Sequence, residues 1–195
     1  SFPRRRPCDL ELWWSDESKL EEILKSENGQ RAGKLLLDDE KEFIDLENSP
    51  IWFAYEYPQI NPTPENLIAE AGGSIKKVFF PLRHKSYLDE AEARKYWLTH
   101  HGPIVRAHGH EAGILCYRQV HRANSIIDAS LQKARGTKAN SYLGHAEAWI
   151  DQNKVRSPKL AEQANQKFIE DEMNFIDMNR STLFFSTEYS VVDNR

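Results

Sequence analysis

The chain has 195 residues, 39% of them apolar and 29% charged, a balance that excludes collagen-like, low-complexity and disordered classes. No stretch approaches the ~18–20 apolar residues of a membrane span, and a net charge of −4 argues against a nucleic-acid partner. Ser1–Arg6 holds three arginines with no apolar run behind them, so no secretory signal is expected. The two cysteines, Cys8 and Cys116, have neither disulfide nor zinc spacing, and a reducing cytoplasm is the expected location.

In chain order, Leu10–Trp14 is a short β-rich run, followed by a helix from about Glu17 with Leu20, Ile23 and Leu24 at helical spacing. Ile51–Tyr57 is aromatic and reads as a strand, and Pro58–Gly73 has the turn chemistry of a linker. Ile75–Leu82 is a strand. Asp89 with Glu92 three residues later opens a helix, whose apolar stripe runs through Ala93 and Trp97 to His101. Gly102-Pro103 is expected to interrupt that helix. Ile114–His121 and Leu143–Ile150 are strands, Ser157-Pro158 opens a second helix, and Thr182–Val192 is the last strand. Residues 75–192 therefore read β-α-β-β-α-β, the ferredoxin-like unit of an α+β fold.

The segment opening Asp39-Glu40 and running to Tyr57 recurs 132 residues later, from Asp171-Glu172 to Tyr189, with nine identities. Residues 1–57 then read as the second, β-α-β half of a first unit, with a linker at 58–74 and a complete unit at 75–195. A half unit leaves a sheet edge open. Either its first half lies upstream or another chain supplies the pairing.

All seven histidines fall between His84 and His145, and histidine is the side chain best suited to proton transfer near neutral pH. His101 ends the buried stripe of its helix. Tyr117 and His121 share one face of their strand, and His145, Glu147 and Trp149 share one face of theirs. Antiparallel pairing is expected to gather these groups against the helix carrying Trp97 and His101, in one aromatic-walled pocket. A lone histidine in that position is more often a partly buried structural side chain, and Trp97 and Trp149 read as core residues rather than ligand stackers. Trp13 and Trp52 are expected in the core, and Glu56 and Glu188 as plain edge-strand charges. No GxGxxG, P-loop or GxSxG pattern occurs, so neither a cofactor nor a metal is expected, and the chemistry left is that of protons.

Lys76-Lys77-Val78-Phe79-Phe80-Pro81-Leu82, followed by Ala91-Glu92-Ala93-Arg94-Lys95-Tyr96-Trp97-Leu98-Thr99-His100-His101-Gly102-Pro103-Ile104-Val105, resembles the EthD family. The Glu-x-Trp strand and the late Phe-Ile-Asp segment are similar to that family too. The resemblance implies a dimeric α+β barrel built from ferredoxin-like units. Its wider relatives include muconolactone-type isomerases, polyketide cyclases, fungal polyketide dehydratases and haem-binding enzymes. It carries the family's helix histidine onto His101 and its second-strand aromatic onto Tyr117. The expected function is a lyase or isomerase, dehydratase- or cyclase-like, working without a cofactor on a small oxygenated aromatic or polyketide-like substrate. His101 is the expected base, Tyr117 or His121 the acid or oxyanion donor and His145 a second relay, with Trp97, Glu147 and Trp149 contacting substrate. The alternatives are a non-enzymatic small-molecule-binding protein and a haem-binding protein on the same barrel. Expected partners are a small hydrophobic or aromatic metabolite and a second copy of the chain, as a homodimer or higher oligomer, with neither nucleic acid nor membrane.

Overall fold

The alternating, β-branched and aromatic segments of the sequence become one antiparallel sheet in the structure, a computed structural model that describes residues 10–14, 16–61 and 67–189. Its strands are β1 (Ala54–Ile60), β2 (Ile75–Leu82), β3 (Ile114–Arg122), β4 (Gly144–Asp151) and β5 (Phe184–Ser186), in the spatial order β1-β3-β4-β2-β5. Strands β2 to β5 give the order β3-β4-β2-β5, that of a split β-α-β unit, and every pairing is antiparallel. β1 adds to the free edge of β3. The α+β, ferredoxin-like class expected from the sequence is the fold observed. The expected Thr182–Val192 strand is formed at β5, and its last residues lie outside the described ones.

Helices α3 (Glu90–Tyr96), α4 (Gly102–His108) and α6 (Pro158–Phe175) supply the layer over this sheet. α3 opens on the expected capping box, Asp89 accepting from the Glu92 amide at 2.7 Å and Glu92 from the Asp89 amide at 3.2 Å. α6 opens on Ser157 with Pro158 in its first turn. Phe80 and Leu82 from β2 pack with Ala93, Trp97, Leu143, Phe175 and Ile176. A second cluster joins Tyr117 of β3 to Val105, Ala164 and Phe168. Each large side chain buried here contributes ~1.5–3 kcal/mol.

Gly102-Pro103 does not interrupt the helix, contrary to expectation. Trp97–His101 forms a π-turn, with right-handed helical dihedrals from Tyr96 through Gly102, and α4 continues from it. The Gly102 amide bonds the Trp97 carbonyl five residues back. Pro103 sits in the first turn of α4, where a missing N–H costs little.

Residues up to Phe53 and Ala123–Ser141 form one compact unit, and Ala54–Arg122 with the residues from Tyr142 onward form the other. The first unit holds α1 (Glu17–Lys25), α2 (Glu27–Glu40) and α5 (Ile126–Arg135). Within it the Phe53 amide donates to Asp128 at 2.7 Å, Thr137 donates to the Leu46 carbonyl at 2.9 Å, and Arg135 pairs with Glu40. The β-rich run Leu10–Trp14 is not a strand. Its side chains Leu10, Leu12, Trp13 and Trp14 are exposed, so Trp13 is not in the core. A β-prone run becomes a strand only where another edge pairs with it.

Among the described residues no helix is long and apolar enough to cross a membrane. The closest approach in the sheet is at Gly144, where a Cβ would lie 2.1 Å from the Val120 carbonyl oxygen. Gly144→Ala should therefore cost at least about 2 kcal/mol, since the rigid backbone of β3 must move to admit one methyl. Urea unfolding with an unchanged midpoint would contradict this contact.

Candidate functional site

Trp97 and His101 reach the sheet through the π-turn, and both are buried. His100 turns outward and stacks on Tyr96 at 4.7 Å. Of the doubled histidine, His101 is the inward one. Its Nδ1 lies 2.8 Å from Asp171 Oδ2, and Tyr96 Oη donates to the other Asp171 oxygen at 2.8 Å. Burial alone would raise the Asp171 carboxyl, but the hydrogen bonds from His101 and Tyr96 outweigh it and hold the group below its ordinary value. An ionised Asp171 accepts from Nδ1–H, which leaves the lone pair of the neutral ring on Nε2.

That nitrogen faces Glu172 Oε1 at 3.9 Å. Burial pushes the Glu172 carboxyl up to about 7, with the charge of His101 pulling it down and that of Asp171 pushing it up. Among the described residues its carboxylate accepts no hydrogen bond.

Across from them, the buried Tyr117 hydroxyl accepts from Trp97 Nε1 at 3.2 Å and from Gln119 Nε2 at 3.4 Å. With both acceptor positions used, its own proton is the one left to give. Burial pushes the phenol up, against these two hydrogen bonds. The His101 and Tyr117 rings meet edge-on, with centroids 6.4 Å apart.

Gln119, fully buried, ties this layer together. Its amide nitrogen also donates to the Trp97 carbonyl at 2.9 Å, and its oxygen accepts from His121 Nε2 at 3.1 Å. The His121 ring lies flat on Trp97, 4.3 Å between centroids, with Tyr57 at 4.8 Å. Burial, aided by the charge of Arg94, lowers His121 to about 4, so the ring is neutral at pH 7 with its proton on Nε2.

His145, Glu147 and Trp149 do not join this layer, contrary to expectation. The register sets His145 opposite Val120, Glu147 opposite Arg118 and Trp149 opposite Cys116. Directly opposed residues share a face, so all three point away from the helices and from Tyr117 and His121. On that second face Lys77 Nζ lies 3.0 Å from Glu147 and 3.4 Å from Glu188, over the ring of Trp149. Trp149 Nε1 and the Ala69 amide both donate to Glu188, and Arg118 pairs with Glu56 at 3.3 Å. Glu188 and Glu56 are thus network members rather than free edge charges. His145 packs on Phe79 with Nε2 3.6 Å from Glu147. Cys116 of β3 is buried on the same face, and that burial pushes its thiol up, away from the reactive thiolate.

The expected pocket is therefore divided by the sheet. His101, Tyr117, His121 and Trp97 lie in the helix layer, and His145, Glu147 and Trp149 on the other face. Sequence reasoning missed Asp171, Glu172 and Gln119. A signal for the first two existed: two carboxylates occupy the apolar stripe of α6 between Phe168 and Phe175. Gln119 shares its strand face with Tyr117 and His121.

Residues 85–179 match the family model of the EthD domain, a stretch that includes the π-turn, β3, β4 and α6. The match supports the EthD family, and with it the dimeric α+β barrel superfamily, for this part of the chain. No curated protein matches the chain.

His121 makes the site's environment measurable. A histidine held below its ordinary value gives stability that is present above about pH 6.5 and lost as pH falls toward 4. Ring-resolved NMR titration should show His121 neutral down to about pH 4. The acid limb of stability over that window should shrink in His121→Phe. A ring half-protonated near pH 6.5 would contradict its desolvation.

Proposed function

We propose that the protein is a lyase or isomerase, dehydratase- or cyclase-like, that moves protons without a cofactor on a small oxygenated aromatic or polyketide-like metabolite. The observation that carries this reading is the His101–Asp171 pair: a buried imidazole whose Nδ1 is fixed by a carboxylate at 2.8 Å and whose Nε2 is left to accept a proton. Asp171 orients the ring and stabilises the imidazolium formed when Nε2 takes a proton from carbon. Tyr117, with two N–H groups on its oxygen, is the donor to a developing oxyanion. Trp97 supplies the apolar wall that excludes water, and His121, neutral and stacked, completes that wall. The barrel of the supported superfamily makes a second copy of this chain the proposed partner.

The test is loss of activity without loss of fold. On a panel of ring-fused aryl ketones and β-hydroxy ketones, His101→Ala should lower kcat at least ~10²-fold while the melting temperature moves only a few degrees. Asp171→Asn, which keeps the ring packed but no longer fixes the tautomer, should lower kcat with little change in KM. Turnover that survives His101→Ala, or a loss matched by unfolding, makes His101 a structural residue and removes the reading.

A further inference from the structure

Glu172 is held in an arrangement that packing alone does not require. Its side chain is 20% exposed, against 4% for His101 and 11% for Asp171, so it is the member of the trio nearest solvent. It looks at the one ring nitrogen that Asp171 leaves unused. The separation of 3.9 Å is too long for a direct hydrogen bond. Its carboxylate accepts no hydrogen bond among the described residues, whereas both oxygens of its neighbour Asp171 are engaged. A carboxyl left like this is costly unless it carries a proton.

We propose that Glu172 is the second catalytic residue of this site: the acid that gives a proton to substrate oxygen while His101 Nε2 removes one from carbon. This rests on the acid–base reading above: Tyr117 hydrogen-bonds the developing oxyanion, and Glu172 is the group that transfers a proton to it. The step common to a lyase and an isomerase is enolisation. His101 Nε2 takes the proton from a carbon next to a carbonyl, and the C–H electron pair becomes the C=C bond. The carbonyl oxygen takes the Glu172 proton, giving an enol, an imidazolium ion and a carboxylate. The imidazolium then gives its proton to solvent and Glu172, 20% exposed, takes one from solvent, so both groups are restored. Three ionisable groups act on Glu172: His101 from the π-turn, Asp171 from its own helix and Tyr117 from β3. The raised carboxyl, about 7, leaves it substantially protonated near neutral pH, as an acid catalyst needs.

Two measurements on the full chain decide the matter. The first needs no substrate. Infrared spectra should show a carboxylic-acid C=O band at pH 6 that is lost above pH 8 and absent in Glu172→Gln. In His101→Ala the band should persist to higher pH, because the ring whose charge favours the carboxylate is gone. The second uses 2-tetralone in D2O as a carbon-acid probe, with α-deuterium uptake read by NMR. Glu172→Gln should lower kcat at least ~10²-fold with KM nearly unchanged and abolish the pH limb near 7, and Glu172→Asp should recover part of the rate. A missing acid band at pH 6, or a band indifferent to His101→Ala, overturns the proposal whatever tetralone does. Exchange that depends on His101 and not on Glu172 overturns it too, and leaves the base assignment standing. Exchange that His101→Ala does not affect removes that base assignment, and with it the acid role built on it, even if the band behaves as expected.

Discussion

The register between β3 and β4 decides which groups of this protein can meet. With Val120 opposite His145 and Arg118 opposite Glu147, every second residue of the two central strands is committed to one side of the sheet. Tyr117, Gln119 and His121 are sent to the helices. Lys77, Arg118, His145, Glu147 and Trp149 are sent to the other face. A slip of one residue would exchange the two sets and bury charges against Phe168 and Phe175. Gly144 helps hold the register by allowing the β3 backbone closer than any side chain would.

On the helix side the geometry depends on the Trp97 carbonyl. It accepts the Gly102 amide across the π-turn and the Gln119 side chain from the sheet. The turn widens the helix at the point where His101 must face inward, and Gln119 fastens the widened turn to β3. π-turns carry poorer hydrogen bonding than the α-helices around them and recur at functional sites. Gln119 offsets that deficit here, and the same amide orients Tyr117 and His121. One buried side chain thus links the helix bearing His101 to the strand bearing Tyr117.

Much of this was legible in the sequence. Ile75–Leu82 is β2 to the residue, the Asp89 and Ser157 caps start the helices where read, and the Ala93-Trp97-His101 spacing places His101 inward. These features are local, set by side-chain period and by caps that bond their own helix. What failed was nonlocal. Leu10–Trp14 has strand composition but no pairing edge, and Gly102-Pro103 breaks a helix only if the preceding carbonyls lack other donors. His145 and Glu147 share a strand face, as read, but the single sequence gave no cross-strand register to say which face. The recurrence of Asp39–Tyr57 at Asp171–Tyr189 pointed at Asp171 and Glu172 as a segment without giving either a role. Its two aromatic runs contribute β1 and β5, the two edges of the sheet.

The two faces differ in how their charges are settled. On the far face Lys77 sits between Glu147 and Glu188, Arg118 meets Glu56, and Trp149 lies under both cations. Opposite charges there are paired with one another, and removing one partner would strand the other in a buried site. In the helix layer the sums are left open. His121 is kept neutral by burial, Asp171 is kept ionised by two donors, and between these fixed points stand one imidazole nitrogen and one carboxyl that have no hydrogen-bond partner among the described residues. Groups whose surroundings push their affinities for a proton apart can exchange one without disturbing the charges that hold the fold. That separation between a settled network and an unsettled pair is imposed by the pleat of a single sheet, and the proposed proton transfer rests on it.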